Sequence, residues 1–408
     1  MSSSFLKAES ISRALLLIPY LWLAIGIIWM PQGSKPLVAL VLVAAIAQLA
    51  VKGFSQVKEN LKTNMWLWGV WLALMFTIVS YITYGASSQE LRGLLLTLVL
   101  LIVLPQSYIV NIRWVQYLLF SAALACWALS CWYSMIEPTP RGHWPVNPIP
   151  LAMHQGLVSV LSIGALLTTF KGKRSGLLAV SAIISGLSVL LTQSRGGILA
   201  LACCYFLVAV SVVVQKKGSF KIIVISFLVL FGSALLAKDA LIKRYQETEA
   251  EFYQMNHGNR DTSIGLRLQM YQAGLELFAS HPMLGHGEFT REYAEDNLTG
   301  YTPTGYHFIS QAHLHNNYID KLARSGVIGF IFLLYLLFYP IYFGIKKHPQ
   351  CVWLLSLPAI YYALTSVTDS PFRNGDTTVV YLVVIGTLMH YASRKVKVEI
   401  NNSDDNEI

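Results

Sequence analysis

The stretch Ala312–Phe330, AHLHNNYIDKLARSGVIGF, opens on two histidines one residue apart and closes on an apolar run. Between them lie Asn316, Asn317 and the charges Asp320, Lys321 and Arg324. The apolar run extends over 326–345. At about 1.5 Å per residue that is enough to cross roughly 30 Å of hydrocarbon. A polar segment therefore meets a membrane helix here, with imidazoles and charges kept at its mouth.

Runs of the same kind recur at 14–30, 36–51, 65–84, 92–110, 114–133, 149–170, 175–192, 197–214, 220–237, 351–368 and 377–393. The expectation is an all-α polytopic membrane protein with about twelve transmembrane helices. Composition agrees. The 408-residue chain is 55% hydrophobic and only 12% charged, with a mean hydropathy of +0.53. Soluble domains carry about 25% charged residues. The run at 14–30 follows Lys7 and Arg13 without a small-x-small cleavage site, so it is read as a first span rather than a signal peptide.

The net charge of +9 does not point to nucleic acid, because the basic residues sit in short loops between apolar runs rather than on a folded face. Alternate loops hold about seventeen basic residues against five in the others. The positive-inside rule then places both termini in the cytoplasm and requires an even number of spans. The five cysteines lie in or beside apolar runs without zinc-ligand spacing and read as small buried hydrophobes.

Four regions follow: transmembrane helices 1–9 over 1–237, a long non-cytoplasmic loop over 238–312, a re-entry segment with helices 10–12 over 313–393, and a polar, disordered cytoplasmic tail over 394–408. The loop is expected to be partly helical. SIGLRLQMYQAGLELFASHP offers Ser263 as N-cap and Pro282 as terminator. Leu268, Tyr271, Leu275 and Phe278 mark the face expected to pack on the membrane domain. Inside the 149–170 span, His154 and Gln155 suit helix–helix hydrogen bonds.

Candidate chemistry concentrates at three places. Arg195 lies between two spans and is followed by Gly196 and Gly197. An arginine, glycines and a helix N-terminus suit an anion such as phosphate, while a snorkelling arginine is the plainer alternative. Arg267 sits near the start of the loop helix, where a cation opposes the helix dipole unless an anion lies nearby. Arg141, Arg244, Arg260 and Arg291 are weaker candidates. His313 and His315 admit a metal site, a structural role or a general base. On a helix, residues two apart diverge, which argues against metal. Asp320 and Arg324 are spaced to pair with each other. No nucleophile elbow, Walker loop or dinucleotide fingerprint occurs, so no cofactor is implied and any energy for chemistry must arrive in the substrate.

Three segments together carry a resemblance: SRGG at Ser194–Gly197, RLQMYQAGLELFASHPMLGHGEF at Arg267–Phe289, and HNNYIDKLARSGVIG at His315–Gly329. With the long loop and the span count, the chain resembles the O-antigen ligase / polysaccharide polymerase superfamily of bacterial inner membranes. The resemblance implies a membrane-embedded C-type glycosyltransferase-like fold. It implies transfer of a polysaccharide from undecaprenyl diphosphate to a sugar hydroxyl of lipid A–core, inverting and metal-independent, at a site facing the periplasm. Arg195 and Arg267 match the family's diphosphate-binding arginines, and His315 its catalytic histidine. Asn316 would orient the base or the sugar, with Gly196 and His313 beside the substrate and no family role known for His313. Lys321 and Arg324 would be free to meet acidic core phosphates. A polymerase of the same chemistry or an O-linked protein oligosaccharyltransferase shares these motifs. A lipid or polysaccharide transporter is a more distant alternative.

Overall fold

The structure is a computed structural model that describes residues 3–85, 87–105, 112–168, 175–215, 231, 238–311 and 313–404. Among them there are helices and no strands. The first eight α-helices are α1 (Ser3–Ala24), α2 (Ser34–Thr63), α3 (Met65–Tyr84), α4 (Ser88–Ile102), α5 (Ile112–Cys131), α6 (Pro148–Thr168), α7 (Ser175–Leu191) and α8 (Arg195–Gln215). After them come α9 (Lys238–Asn256), α10 (Ser263–Ser280), α11 (Arg291–Asn297), α12 (Pro303–Gln311), α13 (Asn317–Lys347), α14 (Val352–Thr365) and α15 (Gly375–Asp404). Eleven of the twelve expected apolar runs overlap these helices in their described residues; the twelfth, 220–237, lies outside the described residues apart from Phe231. Among the described residues, seven helices are long and apolar enough to cross a membrane.

Helix α6 is the hub. Every residue from Leu151 to Ala165 is buried, and α7 and α14 pack along it. Ser159 and its neighbours keep the contacts close: Ser159 Oγ donates to Ala182 O at 2.8 Å and lies 2.8 Å from Tyr205 Oη. In an apolar medium, small residues and internally satisfied hydroxyls hold helices together. His154 and Gln155 act as expected, with His154 Nε2 3.1 Å from Ala24 O and Gln155 Nε2 donating to Ser130 Oγ at 2.7 Å.

Helices α10 to α12 and the first turns of α13 share a second small core of Met270, Ala273, Leu277, Phe289, Ala294, Ile309, Leu314 and Ala323. Two expectations for α10 are corrected here. Its N-cap is Thr262, whose hydroxyl accepts from Gly265 N, so Ser263 is the first helical residue. Its buried face is Met270, Ala273, Gly274 and Leu277; Leu268 and Leu275 are about half exposed. The reason is close approach: a Cβ on Gly274 would stand 2.5 Å from Ile319 Cγ2, so small residues bring α10 against α13.

Helix α13 is broken at Gly326 (φ 60°, ψ −165°). Backbone groups freed by the break pair with the incoming loop: Val327 N donates to Pro282 O at 2.8 Å, and His286 N to Ala323 O at 2.8 Å. Gly285 (φ 73°) fits there because a Cβ would lie 2.3 Å from Ser325 N. Both glycines occupy left-handed backbone that other residues resist. The tail is a further difference. Helix α15 continues to Asp404 rather than ending at residue 393, because no proline or glycine interrupts the chain after Gly386.

Candidate functional site

Two short turns build the site. In the first, Gln193 takes a left-handed backbone (φ 53°) and Ser194 leads into α8, so Arg195 is its first residue. In the second, His315 is left-handed (φ 49°) and Asn316 caps α13. The Asn316 amide oxygen accepts from Tyr318 N and Ile319 N, each at 3.1 Å. The Asn316 amide oxygen is thus engaged in the cap, which fixes His315 through the backbone.

Because the His-x-His segment precedes the helix, its rings do not diverge. Their centroids are 4.3 Å apart. Between them stands Asp369, a residue that the sequence reading missed, in the connection between α14 and α15. His313 Nε2 lies 2.9 Å from Asp369 Oδ1, and His315 Nδ1 3.7 Å from the same oxygen. The two segments are clipped together, since Asn317 N donates to Ser366 O at 2.8 Å and to Asp369 O at 3.0 Å. Tyr271 of α10 adds a bond from its hydroxyl to His315 O at 3.0 Å.

A cavity of about 110 Å³ adjoins this cluster. Arg195, Arg267 and Arg141 line it from three different elements, with Gly196, Thr368 and Asp369. Gly196 has a packing reason as well, because a Cβ there would stand 2.0 Å from Thr368 Oγ1. Its bare backbone lets α8 approach the Asp369 segment. Arg195 Nη2 lies 3.7 Å from Glu247 of α9. The cavity therefore joins Arg195, Gly196 and Arg267 to Asp369, and Asp369 joins them to His313 and His315.

Electrostatics differ across the site. Burial, helped by His313 and Arg267, pushes the His315 imidazole down to about 4, against the pull of Asp369. His315 is therefore neutral at pH 7 and holds a free lone pair. Burial alone would raise Asp369, but the His313 hydrogen bond and the two imidazoles outweigh it and hold the carboxyl below its ordinary value. Falling pH therefore protonates His315 only as it passes this lowered value. An NMR titration of the His315 ring should thus be centred well below pH 6.5, at about 4, and a midpoint at 6.5 counts against an imidazole lowered by burial.

Behind the cluster runs an ion-pair ladder. Asp320 and Arg324 pair at 3.1 Å as expected, and Arg373 bridges Glu288 at 2.6 Å and Asp320 at 3.7 Å. Arg324 also pairs with Glu288, and Lys321 with Glu90. The expectation that Lys321 and Arg324 await an acidic substrate is corrected: both are buried and matched within the protein. A cation this deep persists only with such partners.

The sequence pattern of the family described as O-Antigen ligase (Wzy_C) matches residues 180–334. That segment contains Arg195, Arg267 and His315 but not Asp369. An O-antigen ligase of Escherichia coli (strain K12) is 26% identical over 181 residues, 43% of this chain and 43% of that protein. A Haemophilus influenzae protein named only as uncharacterized is 24% identical over 254 residues, 55% of this chain and 61% of its own length. The chain thus spans less than two thirds of either relative. Over residues 180–334 the chain is thus similar to the O-antigen ligase family and in part to the E. coli ligase, and its long apolar helices mark an integral membrane protein.

Proposed function

We propose that the protein is an O-antigen ligase, which moves a polysaccharide from undecaprenyl diphosphate to a sugar hydroxyl of lipid A–core. The observation that carries this reading is the cavity, with three arginines on its wall and a neutral histidine joined to it through Asp369. The acceptor oxygen attacks the anomeric carbon from the face opposite the leaving group, and the carbon–oxygen bond to the diphosphate breaks. His315 takes the hydroxyl proton. Arg195 and Arg267, with Arg141 beside them, receive the charge on the departing diphosphate, for which the guanidinium fork is well shaped. The energy resides in the donor, so the reading needs neither nucleotide nor metal, and transfer should be undiminished in EDTA.

Donor binding also prepares the base. The positive charge of Arg267 helps to hold His315 low. A diphosphate seated on Arg267 offsets that charge and makes the imidazole a stronger proton acceptor when the acceptor sugar arrives. The reading places the protein in the inner membrane, with the site facing the periplasm and both termini in the cytoplasm.

Deletion of the gene tests the proposal. The expected result is bare lipid A–core, with long polymer retained on the lipid carrier. Core bearing a single repeat unit would identify a polymerase instead, and unchanged lipopolysaccharide would overturn both. In purified protein, Arg195→Ala and Arg267→Ala should each lower transfer by about 10²–10³-fold, the usual loss for one group that stabilises developing charge. Steady-state transfer rates check this.

A further inference from the structure

We propose that His313, His315 and Asp369 form a binding site for a zinc-type transition-metal ion, and that the bound ion switches the enzyme off by occupying its base. The second half rests on the catalytic reading above; the first does not. Each residue offers one ligand atom, and the three lie within 4.8 Å of one another. Two imidazole nitrogens and a carboxylate oxygen are a usual three-ligand set for zinc, with the fourth position left to water. Zinc at about 2.0–2.1 Å from each ligand in a tetrahedral site would set them about 3.3 Å apart. The separations of the two ring nitrogens from Asp369 Oδ1, 2.9 Å and 3.7 Å, bracket that value. The third separation, between the two ring nitrogens, is within 4.8 Å, and ring rotation on binding closes it towards the same value.

One of the ligand atoms stands without a partner. His315 Nδ1 is buried and has no hydrogen-bond partner, and 3.7 Å from Asp369 is too long to supply one. A buried orphan nitrogen calls for an explanation, and a cation between it and the carboxylate provides one. On binding, the proton shared by His313 Nε2 and Asp369 leaves to solvent.

The surrounding bonds support the ligands without using them up. Ser370 N donates to Asp369 Oδ1 at 2.7 Å, which leaves further lone pairs on the carboxylate. Leu314 N, between the two histidines, donates to Asp320 Oδ1 at 3.1 Å. With the Asn317 and Tyr271 bonds described above, both ligand segments are fixed before any ion arrives, the kind of outer support that sharpens metal affinity. An ion held there takes the lone pair that His315 needs for the acceptor proton, so transfer stops until the ion leaves.

The test uses the full-length protein in detergent, freed of metal, with zinc as the ligand and cobalt(II) as the spectroscopic probe. One equivalent of zinc should bind, raise the melting temperature and inhibit transfer, with EDTA restoring activity. Cobalt should give the intense visible bands of a four-coordinate site. His313→Gln and Asp369→Asn should each weaken zinc binding at least tenfold while still inserting and eluting as the parent does. The conservative His313→Gln, at a half-buried position, guards against a result that reflects misfolding. No binding at one equivalent, or unchanged affinity in both variants, overturns the site. Binding without inhibition, or activity lost in EDTA, overturns the switch. One equivalent bound by a protein that transfers no sugar with or without zinc upholds the site and counts against the ligase reading instead.

Discussion

His315→Ala should lose transfer by about 10²–10⁴-fold, the range associated with a positioned general base, while the protein still inserts and binds donor. The imidazole is half-buried, and its backbone is fixed by Tyr271 and by the Asn316 cap rather than by its own ring. Removing the ring therefore leaves the fold and the arginine cavity in place. The loss should fall on kcat, with the donor KM little changed, because the proposed mechanism seats the diphosphate on Arg195 and Arg267 rather than on the histidine. Asp369→Asn should cost less: the amide keeps a polar contact to His313 but loses the charge that offsets burial of both rings. Single-turnover transfer with lipid-linked donor reads both variants, and an undiminished rate in His315→Ala would remove it from the mechanism.

Gly326→Ala should destabilise the protein by about 3 kcal/mol or more. The backbone there is a conformation that few residues other than glycine adopt, itself worth about 1–3 kcal/mol of strain. The added methyl would also stand 2.4 Å from the Met283 backbone, which cannot yield without breaking the loop-to-helix bonds. Gly258→Ala is the control. It too has a positive φ (91°), but nothing lies within 4 Å of the new Cβ, so only about 1 kcal/mol is expected. Thermal melting in detergent and the yield of inserted protein measure both. Equal losses at the two positions would show that close packing at the break contributes nothing.

Much of the fold was legible because membrane helices announce themselves by length and apolarity. What misled was the insertion. Ala273 and Gly274 bury the contact face of α10 yet carry almost no hydropathy signal, whereas Leu268 and Leu275 carry a strong one and stay half exposed. The site divides the same way. Arg195, Arg267 and His315 stand in recognisable segments. Asp369 lies 54 residues beyond His315, and only folding brings it between the histidines; its signal was a carboxylate at the end of an apolar run in a chain poor in charge. Asp320 was legible as a partner of Arg324, but Glu288, its second partner, and Glu90, the partner of Lys321, are distant in sequence.

The break at Gly326 also sets a depth. The twenty-one residues from Val327 to Lys347 span about 31 Å at 1.5 Å per residue, the thickness of a bilayer's hydrocarbon core. The turns from Asn317 to Ser325, with their ion pairs, then stand above the oil, at the level of the lipid headgroups. A carrier lipid drifting in the leaflet would present its diphosphate at that height. On the proposed function the acceptor lipid would do the same with its sugars, and the two reactants would need only to slide sideways to meet.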